Sequence, residues 1–150
     1  MNEAEGRQWL FKLLKNEPII LQRIESESTG IGIPDIFFRT PFLDGWIELK
    51  QVKGDYTKKQ IVTIPWRKGQ FEWMRRYIGM GGHGLLFVFF ETTPGYKTLA
   101  VFEKDNVRKT YTPSDTWYQS LLFMDIKRAN PSNILSVFTR NSFSESSKNH

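Results

Sequence analysis

The chain has 150 residues, 39% of them hydrophobic and 15% aromatic, which suits one folded domain with a sizeable core and excludes an intrinsically disordered chain. It contains no cysteine, so disulfides, thiolate metal sites and cysteine nucleophiles are excluded; His83 and His150 are too few for a histidine-rich metal centre. With 21 basic against 16 acidic residues the net charge is +5, which favours a polyanionic partner.

Residues 2–15 place Trp9, Leu10, Leu13 and Leu14 at helical spacing, with Pro18 limiting extension. Residues 19–24 suit a short strand, and the polar stretch 26–32 a loop. Two strands follow at 35–38 and 45–52, joined by a turn holding Pro41, Asp44 and Gly45. The basic, weakly patterned stretch 54–64 reads as a loop. Pro65 suits the first turn of a second helix whose apolar side is Phe71, Met74, Tyr77 and Ile78.

The apolar run 84–90 predicts a strand buried on both faces. Thr93-Pro94-Gly95 signals a turn, with 97–102 as its hairpin partner. Residues 116–128 read as a helix, 133–138 as a strand or short helix, and 142–150 as a polar tail. The expected fold is an α/β single domain spanning 1–141, a mixed central β-sheet flanked by helices in the order α-β-β-β-α-β. No apolar run is long enough to cross a membrane, and the first residues lack the basic-then-apolar order of a signal peptide, so a cytoplasmic location is expected.

The chemistry concentrates in Pro34-Asp35 and Glu48-Leu49-Lys50. Alternate residues of a strand share a face, so Glu48 and Lys50 converge while Leu49 turns to the core. If the strands pair across their turn, Asp35 joins them. Each ingredient has an ordinary explanation: an Asp at a turn bonds nearby amides, and Glu-x-Lys is often a solvated ion pair. Here all three charges sit on apolar elements, where they are costly unless they pair or bind an ion. Two carboxylates and a lysine in one site can hold a divalent metal and activate water for phosphodiester hydrolysis.

Pro34-Asp35, a spacer of twelve residues and Glu48-Leu49-Lys50 resemble the PD-(D/E)XK nuclease motif, and the order of elements over 3–90 is similar to that family's core. Gly32-Ile33-Pro34-Asp35, the strand Trp46-Ile47-Glu48-Leu49-Lys50 and Arg67-x-x-Gln70-x-x-Trp73 look most like the VRR-NUC and Holliday-junction-resolvase-like branch, common in phages. The resemblance implies a Mg²⁺-dependent endonuclease, Mn²⁺ substituting, with Asp35, Glu48 and the carbonyl of Leu49 on the metal and Lys50 on the attacking water or the phosphorus. It also implies an acid from the first helix, either Glu3 or Glu5, with Glu5 preferred, and a site role for Gln70. As simple helix chemistry, those acids could equally complement the helix dipole and Gln70 could merely favour the helix.

Lys53, Lys58, Trp66, Arg67 and Lys68 are the candidate nucleic-acid contacts, Trp66 by stacking and the others through phosphate. The expected substrate is branched or junction DNA, or a specific duplex cut in the manner of a homing or restriction enzyme. A homodimer or higher homo-oligomer is expected, because one site cuts one strand. The alternative is a non-catalytic nucleic-acid-binding module with a structural acidic cluster. Gly79-Met80-Gly81-Gly82-His83-Gly84 fits a dinucleotide-loop pattern, but it follows a helix and precedes a strand, so it reads as a helix stop.

Overall fold

The computed structural model of the chain describes residues 2–24, 32–53, 61–93 and 96–139. Lys58, most of the 26–32 loop, the Pro94-Gly95 turn and the 142–150 tail lie outside the described residues.

Helix α1 runs Glu3–Leu13, opened by the Asn2 side chain accepting from the Glu5 amide. Three strands follow: β1 (Ile20–Arg23), β2 (Ile36–Arg39) and β3 (Asp44–Lys53). After the two-residue β4 (Val62–Thr63) comes α2 (Gln70–Gly79), then the hairpin β5 (His83–Thr93) and β6 (Tyr96–Glu103). The last part carries β7 (Thr110–Tyr111), α3 (Pro113–Tyr118), β8 (Leu122–Asp125) and α4 (Pro131–Leu135).

Six strands form one sheet in the order β1-β2-β3-β5-β6-β8. Only the central pair β3–β5 is parallel, with α2 in the crossover between them. This is the expected mixed α/β fold. Strand alternation divides its core in two. Ile47 and Leu49 of β3 and Leu85, Phe87 and Phe89 of β5 pack with Leu10 and Leu14 of α1 and with Phe138. On the opposite face Leu86, Val88 and Phe90 of β5 pack with Met74 of α2, Val62 of β4 and Tyr111 of β7. Gly84 permits close packing of α2, since a Cβ there would lie 2.3 Å from the Met74 sulfur.

Three expectations are corrected, and one open reading is resolved. Within the 54–64 loop, Val62–Thr63 pairs with Thr110–Tyr111 as a second, two-stranded sheet. Pro65 does not open α2: the helix starts at Gln70 behind Gly69, whose φ of 84° suits glycine, so Arg67 precedes the helix. The expected helix 116–128 is instead the end of α3, strand β8 and a 3₁₀ turn at Ile126–Arg128, because Leu122–Asp125 completes the sheet edge beside β6. Of the strand or short helix expected over 133–138, the short helix is present, as the end of α4.

Candidate active site

Strand pairing builds the site. Strand β2 meets β3 antiparallel with Ile36 opposite Ile47 and Phe37 opposite Trp46. One step beyond Ile36, Asp35 comes opposite Glu48, and its carbonyl accepts from the Ile24 amide at 2.7 Å. Glu48 and Lys50 project together from β3 on the α2 side of the sheet. Leu49 between them points to the α1 side, 3% exposed.

Both charged side chains are buried, Glu48 at 1% exposure and Lys50 at 0%. Lys50 Nζ lies 3.7 Å from Glu48 Oε1 and 3.6 Å from Glu3 Oε1. Glu3 Oε2 continues to Arg67 at 3.3 Å. The charges thus alternate along a chain from the buried strand to solvent, where the Arg67 side chain is 66% exposed. Gln70 closes the opposite side: its Nε2 donates to Glu48 Oε1 at 3.1 Å, while its Oε1 accepts from the Arg67 amide at 2.7 Å. The second bond fixes the amide of Gln70 so that its donor end faces Glu48.

Within the site two buried atoms are left without hydrogen-bond partners among the described residues, Glu48 Oε2 and Lys50 Nζ. A buried carboxylate oxygen in that state is costly. Burial first, and then the negative charge of Asp35, push the Glu48 carboxyl up to about 8; Lys50 and Arg67 pull it the other way. A cation beside Glu48 would answer both the missing partner and the raised pKa. The available donors, carboxylates with backbone carbonyls nearby, are the hard oxygens that Mg²⁺ takes while keeping several waters. Among the described residues no three His, Cys, Asp or Glu side chains form a ready-made metal cage.

The structure brings together Asp35, Glu48, Lys50 and Gln70, and from α1 it adds Glu3. Glu5, the preferred helix acid, is exposed, and the carboxylate that reaches Lys50 is that of Glu3. Helix α1 approaches with its first turn, so the earlier acid is the nearer one. Arg67, read as a phosphate contact, also forms the outer link of the charge chain. Lys53 is exposed at the end of β3, and Lys68 is exposed just before α2.

Trp66 is half-buried, donates from Nε1 to the Arg108 carbonyl at 3.1 Å and meets Phe71 edge-on. Trp66, Arg67, Lys68, Phe71 and Lys109 line a cleft of about 560 Å³ beside the charge chain. Lys109 was missed in the sequence because the segment around it has no periodicity to place it. His83 lines a separate cavity at the start of β5, three register steps before Leu86, the partner of Glu48.

The chain is similar in structure to a Holliday junction resolvase of the archaeal hyperthermophile Archaeoglobus fulgidus. It aligns over 82% of this chain and 95% of its own, with a TM-score of 0.51 and 14% sequence identity. The chain has the resolvase fold. No protein-family model matches it, and neither does any curated protein sequence. No helix among the described residues is long and apolar enough to cross a membrane.

Proposed function

We propose that the chain is a metal-dependent endonuclease that hydrolyses DNA phosphodiester bonds, its nuclease domain spanning residues 1–141. The observation that carries this reading is the buried Glu48–Lys50 pair opposite Asp35, with Glu48 Oε2 and Lys50 Nζ both lacking hydrogen bonds. The resolvase fold supports it, because an element order shared with a junction resolvase surrounds that pair.

In this reading Asp35, Glu48 and the Leu49 carbonyl hold Mg²⁺, with Mn²⁺ able to substitute. When bound, the metal polarises the scissile phosphate and acidifies water. Lys50 Nζ supports negative charge developing at phosphorus and orients the attacking water. Glu3 sets the position of Lys50 and Arg67. Gln70 fixes the rotamer of Glu48. Lys53, Lys58, Lys68, Arg67 and Trp66 contact the DNA backbone, with Lys109 from the C-terminal third added to them. A junction or other branched duplex is the favoured substrate. Two copies of the chain would supply the two cuts that such a substrate needs.

The test is cleavage of a four-way junction, a linear duplex and a supercoiled plasmid in Mg²⁺, Mn²⁺ or EDTA, by wild type, Lys50→Ala and Asp35→Asn. Metal-dependent cutting that both variants lose is the expected result. Equal binding in Mg²⁺ and EDTA with every substrate left intact would favour the non-catalytic binding module. Cutting retained by Lys50→Ala would place the chemistry elsewhere.

A further inference from the structure

Phe37, Trp46, Trp73 and Tyr77 form a continuous series of ring contacts on the α2 side of the sheet. Phe37 meets Trp46 at 5.6 Å, Trp46 meets Trp73 at 5.8 Å, both edge-on, and Trp73 stacks on Tyr77 at 5.3 Å. The series begins beside the carboxylates. Trp46 shares its strand face with Glu48 and Lys50, and Phe37 lies opposite Trp46, two residues after Asp35.

These rings belong to neither core cluster. The buried phenylalanines, such as Phe38, Phe87 and Phe90, are at most 1% exposed, whereas all four ladder rings are only partly buried. Beyond Trp73 and Tyr77 lies an open cleft of about 410 Å³, lined also by Gly69, Glu72, Arg76 and Met80. Arg76 is exposed, and Met80 is 77% exposed. Glu72 in this cleft lies 3.8 Å from Lys109, and Asp44 lies 3.2 Å from Arg39.

We infer that this aromatic ladder is a stacking platform for unpaired bases of a DNA strand continuous with the duplex that carries the scissile phosphate. The inference rests on the nuclease reading and narrows its substrate to duplex DNA with a single-stranded arm. Partly buried rings with a cation alongside suit a polynucleotide, because every base offers a π-face and Arg76 can meet the phosphate between bases. An intact duplex keeps its bases stacked internally and has none to place on the ladder.

The experiment uses the full chain in EDTA, so that binding is read without cleavage. A duplex with a short unpaired tail, carrying 2-aminopurine in the tail, is compared with the same duplex cut blunt. The expected result is quenching of the 2-aminopurine and tighter binding of the tailed duplex. Trp73→Leu and Tyr77→Leu should each weaken the tailed complex about 5- to 100-fold. Both should leave blunt-duplex affinity unchanged.

An unquenched tail with wild type, or equal affinity for both duplexes, overturns the inference without any variant having to fold. So does a Trp73→Leu protein that changes only its oligomeric state on a sizing column, since the face would then join copies of the chain. Loss of Mg²⁺-dependent cleavage in the separate assay bears on the nuclease reading alone, because the tail is read without metal.

Discussion

Glu48 has a proton at pH values where a free carboxylate has none, and that has consequences for stability. Its pKa of about 8 in the folded chain stands above the reference value of 4.5. Between those values the native state binds a proton that the unfolded chain has released. Stability from this group therefore falls as pH rises through that window, by up to about 1.4 kcal/mol per pH unit. Below pH 4.5 the group has no effect on stability, and above about pH 8 its penalty is complete. Metal-free Glu48→Gln should accordingly exceed wild type in urea resistance at pH 9, and the gap should close by pH 4. Parallel stability profiles would show that Glu48 is not desolvated. Because Mg²⁺ must displace the same proton, its stabilisation of wild type should strengthen up to about pH 8 and be absent in Glu48→Gln.

The two acids of α1 make a sharper comparison. Glu3 lies between Lys50 and Arg67, while Glu5 is exposed. Glu3→Gln removes the contact that positions Lys50, and a loss of about 1 kcal/mol there corresponds to about 5-fold in cleavage rate. Glu5→Gln should leave the rate within a factor of about two. Single-turnover cleavage in Mg²⁺ separates them, and the reverse ranking would restore Glu5 to the site.

At the scale of elements, the small β4–β7 sheet links the C-terminal third to the site wall. Ile64 and Trp66 both bond to the 108–109 backbone, through the Ile64 amide and the Trp66 indole. Tyr111 secures the same turn, its hydroxyl accepting from the Arg108 amide and donating to the Asn106 carbonyl. Trp66→Phe keeps an aromatic ring but shrinks it and deletes the Nε1 hydrogen bond, so a stability loss of at least about 1 kcal/mol is expected in denaturant melts. DNA binding should weaken beyond what that loss explains, because Arg67 and Lys68 leave their fixed turn. Unchanged affinity would mean that Trp66 only packs.

These elements also mark where the sequence stopped being readable. Strand β5 was legible because apolar residues run almost unbroken through it, as burial on both sheet faces demands, and β3 by its shorter apolar stretch from Trp46 to Leu49. Glu48 and Lys50 were legible because two charges interrupt such a run at a spacing of two. Strand β8 was not legible: all four of its residues are half-buried at an open edge, so no alternation distinguishes Leu122–Asp125 from a helix. Two-residue strands such as β4 have no period at all. The start of α2 was misplaced because Pro65 is a stronger local signal than Gly69, whose positive φ is visible only in the fold. Glu3 could not be chosen over Glu5, since helix spacing gives the face of α1 but not how far its first turn reaches.

For the whole molecule, net charge matters less than where it lies. The excess of +5 is modest, but Arg67, Lys68, Arg76 and Lys109 are collected around α2. A polyanion held there displaces its own counterions, so binding should fall linearly on a logarithmic salt scale. Each lysine or arginine that meets a phosphate contributes about one unit to that slope. Lys68→Ala and Lys109→Ala should each reduce the slope by about one and weaken all DNA substrates alike. Trp73→Leu should leave the slope unchanged while reducing the preference for a single-stranded arm, because stacking releases no ions. Salt titrations of the tailed and blunt duplexes in EDTA distinguish these contributions. If Lys68→Ala and Lys109→Ala left the slope as it was, the cleft beside Trp66 would not be a phosphate path, and the duplex would have to approach Glu48 from another side.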